Sequence, residues 1–89
     1  MLSATLVERA ALRYTPAGLP ALDFSLRHES QVTQDGQPRK VSVELRARAI
    51  GQIVQQVSAL ELGSEHGFAG FVAAQRNGRG VVFHVTELD

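Results

Sequence analysis

The stretch "VSVELRARAIGQIVQQVSALELG", Val41 to Gly63, carries the reading on which the fold turns, because its apolar period changes midway. From Val41 to Ile50 the residues alternate strictly. Val41, Val43, Leu45, Ala47 and Ala49 share one face, and Ser42, Glu44, Arg46 and Arg48 share the other, as side chains do on a pleated strand. The first set is expected in the core, the second against solvent or a partner. After Gly51 the period lengthens. Ile53, Val54, Val57 and Leu60 fall at helical spacing and Gly63 supplies a stop, so the pattern predicts an amphipathic helix of about three turns.

Working outward, "SATLVERAAL" (Ser3 to Leu12) reads as a first strand and "RYTPAGLP" (Arg13 to Pro20) as a turn-rich connection, with a β-turn at Pro16-Ala17-Gly18. In "ALDFSLRHES", Ala21 to Ser30, Leu22, Phe24, Leu26 and His28 point one way, while Asp23, Ser25, Arg27 and Glu29 point the other. "QVTQDGQPRK", Gln31 to Lys40, is a loop or the tip of a long hairpin, since it contains Asp35-Gly36 and Pro38. Beyond the helix, "HGFAGFVAAQ" is a strand in which Gly67 and Gly70 suggest a bend or bulge. Asn77-Gly78 then predicts a tight hairpin into the last strand, "VVFHVTEL". The order is strand, strand, strand, helix, strand, strand, in one domain over residues 1–89. It predicts an all-β fold: a five-stranded Greek-key barrel of the OB type, with one short helix between strands 3 and 4.

Composition narrows the function classes. The 89 residues contain no cysteine, which removes disulfides and thiolate metal sites. No apolar run approaches the ~20 residues of a membrane span, and the N-terminus lacks a basic segment before an apolar core. A cytoplasmic setting is expected. His28, His66 and His84 lack neighbours at ligand spacing, so no metal and no cofactor are expected; His28, on the inward face of its strand, reads as a hydrogen-bonded structural residue. The chain offers no Ser-His-Asp arrangement, carboxylate pair or phosphate loop, and no enzyme is expected.

Nine basic residues balance nine acidic ones, and eight of the basic residues are Arg. Arg combines a planar fork for phosphate with a flat face for bases. Arg13, Arg39, Lys40, Arg46, Arg48, Arg76 and Arg79 fall on one strand face or in loops that an OB barrel brings toward one side. Acids gather elsewhere, at Glu61, Glu65, Glu87 and Asp89, so a neutral chain can still present a basic face. The competing reading is an ordinary solvated surface, with Arg46 and Arg48 paired to Glu44 or neighbouring acids and Arg76 and Arg79 serving solubility. Tyr14 is a candidate for stacking on a base or for packing on the barrel rim. Phe24, Phe68, Phe71 and Phe83 are assigned to the core, with one of Phe71 or Phe83 open to exposure.

"RYTPAGLPALDFSLRHES", Arg13 to Ser30, resembles the primosomal replication protein N (PriB) family, dimeric OB-fold relatives of bacterial single-stranded DNA-binding protein. The shared features are Arg13, Gly18-Leu19-Pro20, and the closing Leu26-Arg27-His28-Glu29-Ser30. "LGSEHGFAGFVA" is similar to a broader single-strand-binder pattern, and the likeness spans roughly residues 2 to 88. The resemblance implies a non-enzymatic component of the replication-restart primosome that binds single-stranded DNA and bridges the PriA helicase to DnaT at stalled forks. It also places the DNA surface at Arg13, at Arg39 with Lys40, and at Arg76 with Arg79. The chain departs from the family in having Ser42 where some relatives have an aromatic, a short last hairpin, and zero net charge. Those departures leave open an OB-fold protein–protein adaptor with weak or no nucleic-acid binding, and an RNA-binding OB module is a third class. Apolar residues on both faces of "TLVERAAL" and "VVFHVTEL" lead to the expectation of a homodimer.

Overall fold

The alternation read in the sequence becomes a sheet that wraps onto itself. A computed structural model describes residues 1–75, 78 and 80–89. Its elements are β1 (Leu2–Arg9), β2 (Arg13–Tyr14), β3 (Pro20–Gln34), β4 (Gln37–Ile50), α1 (Ile53–Ser58), β5 (Glu65–Ala74) and β6 (Val81–Leu88). The sheet order is β1-β5-β6-β4-β3-β2, and β1 also pairs with β3, which closes the barrel. The five long strands and the helix between β4 and β5 form the OB barrel that the sequence order predicts; the two-residue β2 is an added edge on β3.

The core follows the inward positions. Leu22, Phe24 and Leu26 of β3 meet Ala47 and Ala49 of β4, with Leu6, Phe68, Phe83 and Val85 from the other strands and Val54 and Val57 from the helix. The rings of Phe24 and Phe68 lie 6.3 Å apart across this interior. His28 sits at its margin, where Nδ1 bonds the Ser3 carbonyl at 2.7 Å and ties β3 to the start of β1.

Of the two alternatives for Gln31 to Lys40, the tip of a long hairpin is the one found: β3 and β4 pair without a break to Gln34↔Gln37, turned by Asp35 and Gly36 at φ 52° and 72°. Two adjacent residues with positive φ turn a hairpin whose twist matches its strands. Three other expectations need correction. Because this arm runs past the barrel end, Val41 and Val43 are 41% and 44% exposed, although they share parity with Ala47. Strand one stops at Arg9 rather than Leu12, with the Ala10 amide still donating to the Asp23 carbonyl at 2.9 Å.

The helix, finally, has six residues rather than three turns. Its end is tied to β1. Arg9 Nη1 donates to the Leu60 carbonyl at 2.7 Å and, more weakly, to that of Val57 at 3.4 Å. A cation on the last carbonyls satisfies groups that a longer helix would otherwise bond internally. Gly63, at φ 88°, then returns the chain to β1, where its amide donates to the Leu6 carbonyl at 2.7 Å.

The expected β-turn is present, with the Gly18 amide bonded to the Thr15 carbonyl at 2.8 Å. The expected bulge lies at Ala69/Gly70. A Cβ on Gly70 would come within 1.8 Å of the His84 carbonyl oxygen, so only glycine fits this crossing. No helix among the described residues is long and apolar enough to cross a membrane.

Candidate nucleic-acid interface

Pairing register decides which outward side chains become neighbours. In antiparallel β3–β4, Asp23 is opposite Arg48 and Ser25 opposite Arg46. In parallel β4–β6, Arg48 is opposite His84, and in β5–β6, His84 is opposite Phe71. Directly paired residues project from the same side of a sheet. One row, Asp23, Arg48, His84 and Phe71, therefore crosses four strands on the outer face.

The row is polar at one end and flat at the other. Arg48 Nε donates to Asp23 Oδ1 at 2.7 Å. Arg13, delivered by β2, reaches the same carboxylate through Nε at 3.3 Å and Nη2 at 3.1 Å. Partial burial pushes the Asp23 carboxyl pKa up, but the hydrogen bonds and charges of Arg48 and then Arg13 outweigh it and hold the group below its ordinary value. At the other end the rings of Phe71 and His84 stack 4.9 Å apart and 7° from parallel. A groove of about 240 Å³ lies over the polar half, lined by Glu8 and Ala10 at the end of β1, Asp23, Ser25, Arg46 and Arg48, with Gln75 and Val82 from the last hairpin.

The predicted site residues divide. Arg13, Arg46 and Arg48 come together on this face. Arg48 pairs with Asp23 and not with Glu44, and among the described residues Arg46 makes no ion pair. Arg39 and Lys40, expected to act together, project from opposite faces of the long arm: Arg39 is opposite Val32 and Lys40 opposite Gln31. Lys40 is also engaged, with Glu29 at 3.5 Å. Tyr14 is exposed but separated from the row; with Leu12 and Pro20 it lines a second groove against Val54, Ser58 and Ala59. Arg76 and Arg79 lie outside the described residues, as does Asn77 of the expected turn; the Gln75 amide bonds the Gly80 carbonyl at 2.9 Å at the hairpin base.

Sequence reasoning missed Asp23, Phe71 and His84. Of the two phenylalanines left open, Phe71 is the exposed one at 56% and Phe83 is buried at 8%. Phe71, three residues after the buried Phe68, takes the opposite face by ordinary alternation, and its signal is obscured because β5 carries apolar residues on both faces. Among the described residues no three His, Cys, Asp or Glu could hold a metal ion.

A small closed barrel with a basic, partly aromatic face on its central strands, reached by Arg13 before the second long strand and by Gln75 after the fourth, defines the nucleic-acid-binding class of OB-folds. Comparison with known proteins makes the assignment narrower. Residues 1–87 match a family model described as another single-strand binding protein family. Replication restart protein PriB of Bordetella pertussis is 44% identical over 75 residues, covering 84% of this chain and 70% of that one. The structure of PriB from Ralstonia solanacearum matches with a TM-score of 0.85 at 33% identity, over 99% of this chain and 90% of that chain. Wild-type single-stranded DNA binding protein from Thermus aquaticus matches with a TM-score of 0.77 at 28% identity, over 98% of this chain and 46% of that chain. The chain belongs to the replication restart protein PriB family, as the resemblance carried by Arg13 to Ser30 implies.

Proposed function

We propose that this chain acts in replication restart by binding single-stranded DNA across the outer face of β3, β4, β5 and β6. The observation that carries the reading is the row from Arg48 to the Phe71–His84 stack, with Arg46 and Arg13 beside it. Guanidinium groups guide the phosphate backbone, while an exposed ring offers a surface to any base, so sequence preference is weak. Arg76 and Arg79, expected from the sequence to hold phosphates, belong to the same reading. The chain works as one OB domain over residues 1–89, catalyses no reaction, and operates in the cytoplasm as a homodimer in contact with the PriA helicase and DnaT.

Binding of labelled single-stranded DNA and RNA of equal length tests the reading, with affinity followed against salt. Saturable DNA binding with a negative slope of log K on log salt supports it. Binding to RNA alone, or to neither, removes it. Sedimentation equilibrium that shows only monomer at micromolar concentration removes the dimer.

One observation favours an additional adaptor role. The second groove, with Leu12 and Tyr14 exposed beside α1, is mainly apolar, and no arginine lines it among the described residues. Solvent-exposed apolar clusters of this kind often serve protein contacts. Tyr14→Ala is expected to weaken capture of PriA or DnaT while leaving DNA affinity unchanged.

A further inference from the structure

Asp23 is the acid in the row that crosses the candidate face, and its place there is not a solvated accident of composition. Its backbone is held on both sides, by the Ala10 amide at 2.9 Å and by pairing with Arg48. Its carboxylate accepts from Arg48 Nε at 2.7 Å and from Arg13 Nη2 at 3.1 Å. Carboxylate and phosphate are the two oxyanions that match a guanidinium fork. The carboxylate thus occupies the seat that a backbone phosphate would take between these two arginines.

We infer that Asp23 is a built-in competitor for the DNA backbone, an intramolecular anion that holds Arg13 and Arg48 ready and lowers the affinity of the face for single strands. The inference rests on the reading that this face binds single-stranded DNA. Its consequence is that binding is an exchange: phosphate oxygens must displace the carboxylate or settle beside it against like-charge repulsion. Arg46, two residues from Arg48 and opposite the uncharged Ser25, makes no ion pair among the described residues.

Stability does not account for the arrangement. The side chains of Arg13, Asp23 and Arg48 are 47%, 41% and 32% exposed, and ion pairs this open to water contribute little to folding. The same openness lets a nucleic-acid strand reach them. With the carboxyl held below its ordinary pKa, the competitor stays charged at neutral pH.

The test uses Asp23→Asn, which keeps an acceptor oxygen for Arg48 but removes the charge, and Asp23→Ser as a second variant. Glu61→Gln, which removes an exposed acid beyond the helix, controls for net charge. Each protein is checked for folding by circular dichroism, then titrated against a fluorescent oligo-dT at several salt concentrations. Both Asp23 variants are expected to bind about fivefold tighter than the parent at low salt, the size of effect expected from removing one charge near a phosphate in water. The slope of log K on log salt is expected to steepen by about 0.7 if one further phosphate is neutralised. Tight binding by the variants where the parent binds undetectably would support the inference in its strongest form. Equal or weaker binding by folded Asp23 variants overturns it and makes Asp23 a positioning residue. An equal gain in Glu61→Gln overturns it as a general charge effect. If parent and variants alike fail to bind single-stranded DNA, the reading of the face fails, and the inference with it.

Discussion

Phe71 and His84 lie ring on ring, 4.9 Å apart and 7° from parallel, on neighbouring strands. The pair forms a flat step beside Arg48, because β6 is the strand that Arg48 and Phe71 flank. A base that stacks on Phe71 places its backbone within reach of the arginine row. Phe71→Ala is therefore expected to weaken single-stranded DNA binding by about 1–3 kcal/mol, the range for loss of one stacked base. Its effect on stability should be about 1 kcal/mol or less, since a cross-strand pair on an exposed face contributes no more than that. Titration and chemical denaturation of one variant check both values. The salt slope should not change, because no charge is lost.

The arginines should show the opposite signature. Arg46→Ala is expected to flatten the slope of log K against log salt by about 0.7 if it holds one phosphate of a single strand. Replacing Arg76 and Arg79 together should flatten it by about 1.4 on the same arithmetic. Stability should stay within about ±0.5 kcal/mol for the exposed Arg46, and for the Arg76 and Arg79 pair if it acts only on DNA. A folded protein with unchanged affinity and slope would mean that the replaced arginines only solvate the surface.

Gly70 bears on the barrel and not on charge. Any side chain there meets the His84 carbonyl at 1.8 Å, and the obstacle is backbone in a paired strand. Gly70→Ala is expected to cost on the order of 3 kcal/mol or more, as overpacking at a constrained crossing does. Because the obstructing carbonyl belongs to His84, whose ring stacks on Phe71, any folded fraction should have lost the flat step. Thermal melting and oligonucleotide binding measure the two effects separately.

Asp23 predicts a small acid dependence of stability with a definite sign. Its folded pKa is depressed below the ordinary 3.8, so the unfolded chain binds the proton more readily. The resulting stabilisation is fully present above the unfolded value and is lost as pH falls through the folded one. The melting temperature of the parent should therefore drop more than that of Asp23→Asn between pH 6 and pH 2.5. The difference should be modest, since the carboxylate is 41% exposed and solvent screens its partners. Parallel curves for the two proteins would count against the ion triad.

Much of this protein is local in origin. Alternation over Val41 to Ile50 and over Ala21 to Ser30, the change of period after Gly51, and the turns at Gly18 and Asp35-Gly36 determine the element order and with it the OB barrel. Those signals depend only on side-chain period and backbone preference within a few residues, which a chain carries before it folds. They also select Arg46 and Arg48 as outward-facing. What they do not contain is lateral position. Arg9, far away in the chain, bonds the Leu60 carbonyl just past the helix end; Val41 and Val43 are exposed because the hairpin outruns the barrel. Arg39 and Lys40 part because the arm stays paired to its tip. The row from Asp23 through Arg48 and His84 to Phe71 exists only once four strands have taken one register, and a shift of a single residue would turn any member to the other side. Period is written along the chain. Which residue stands beside which is decided across it, by the core that locks the strands in place.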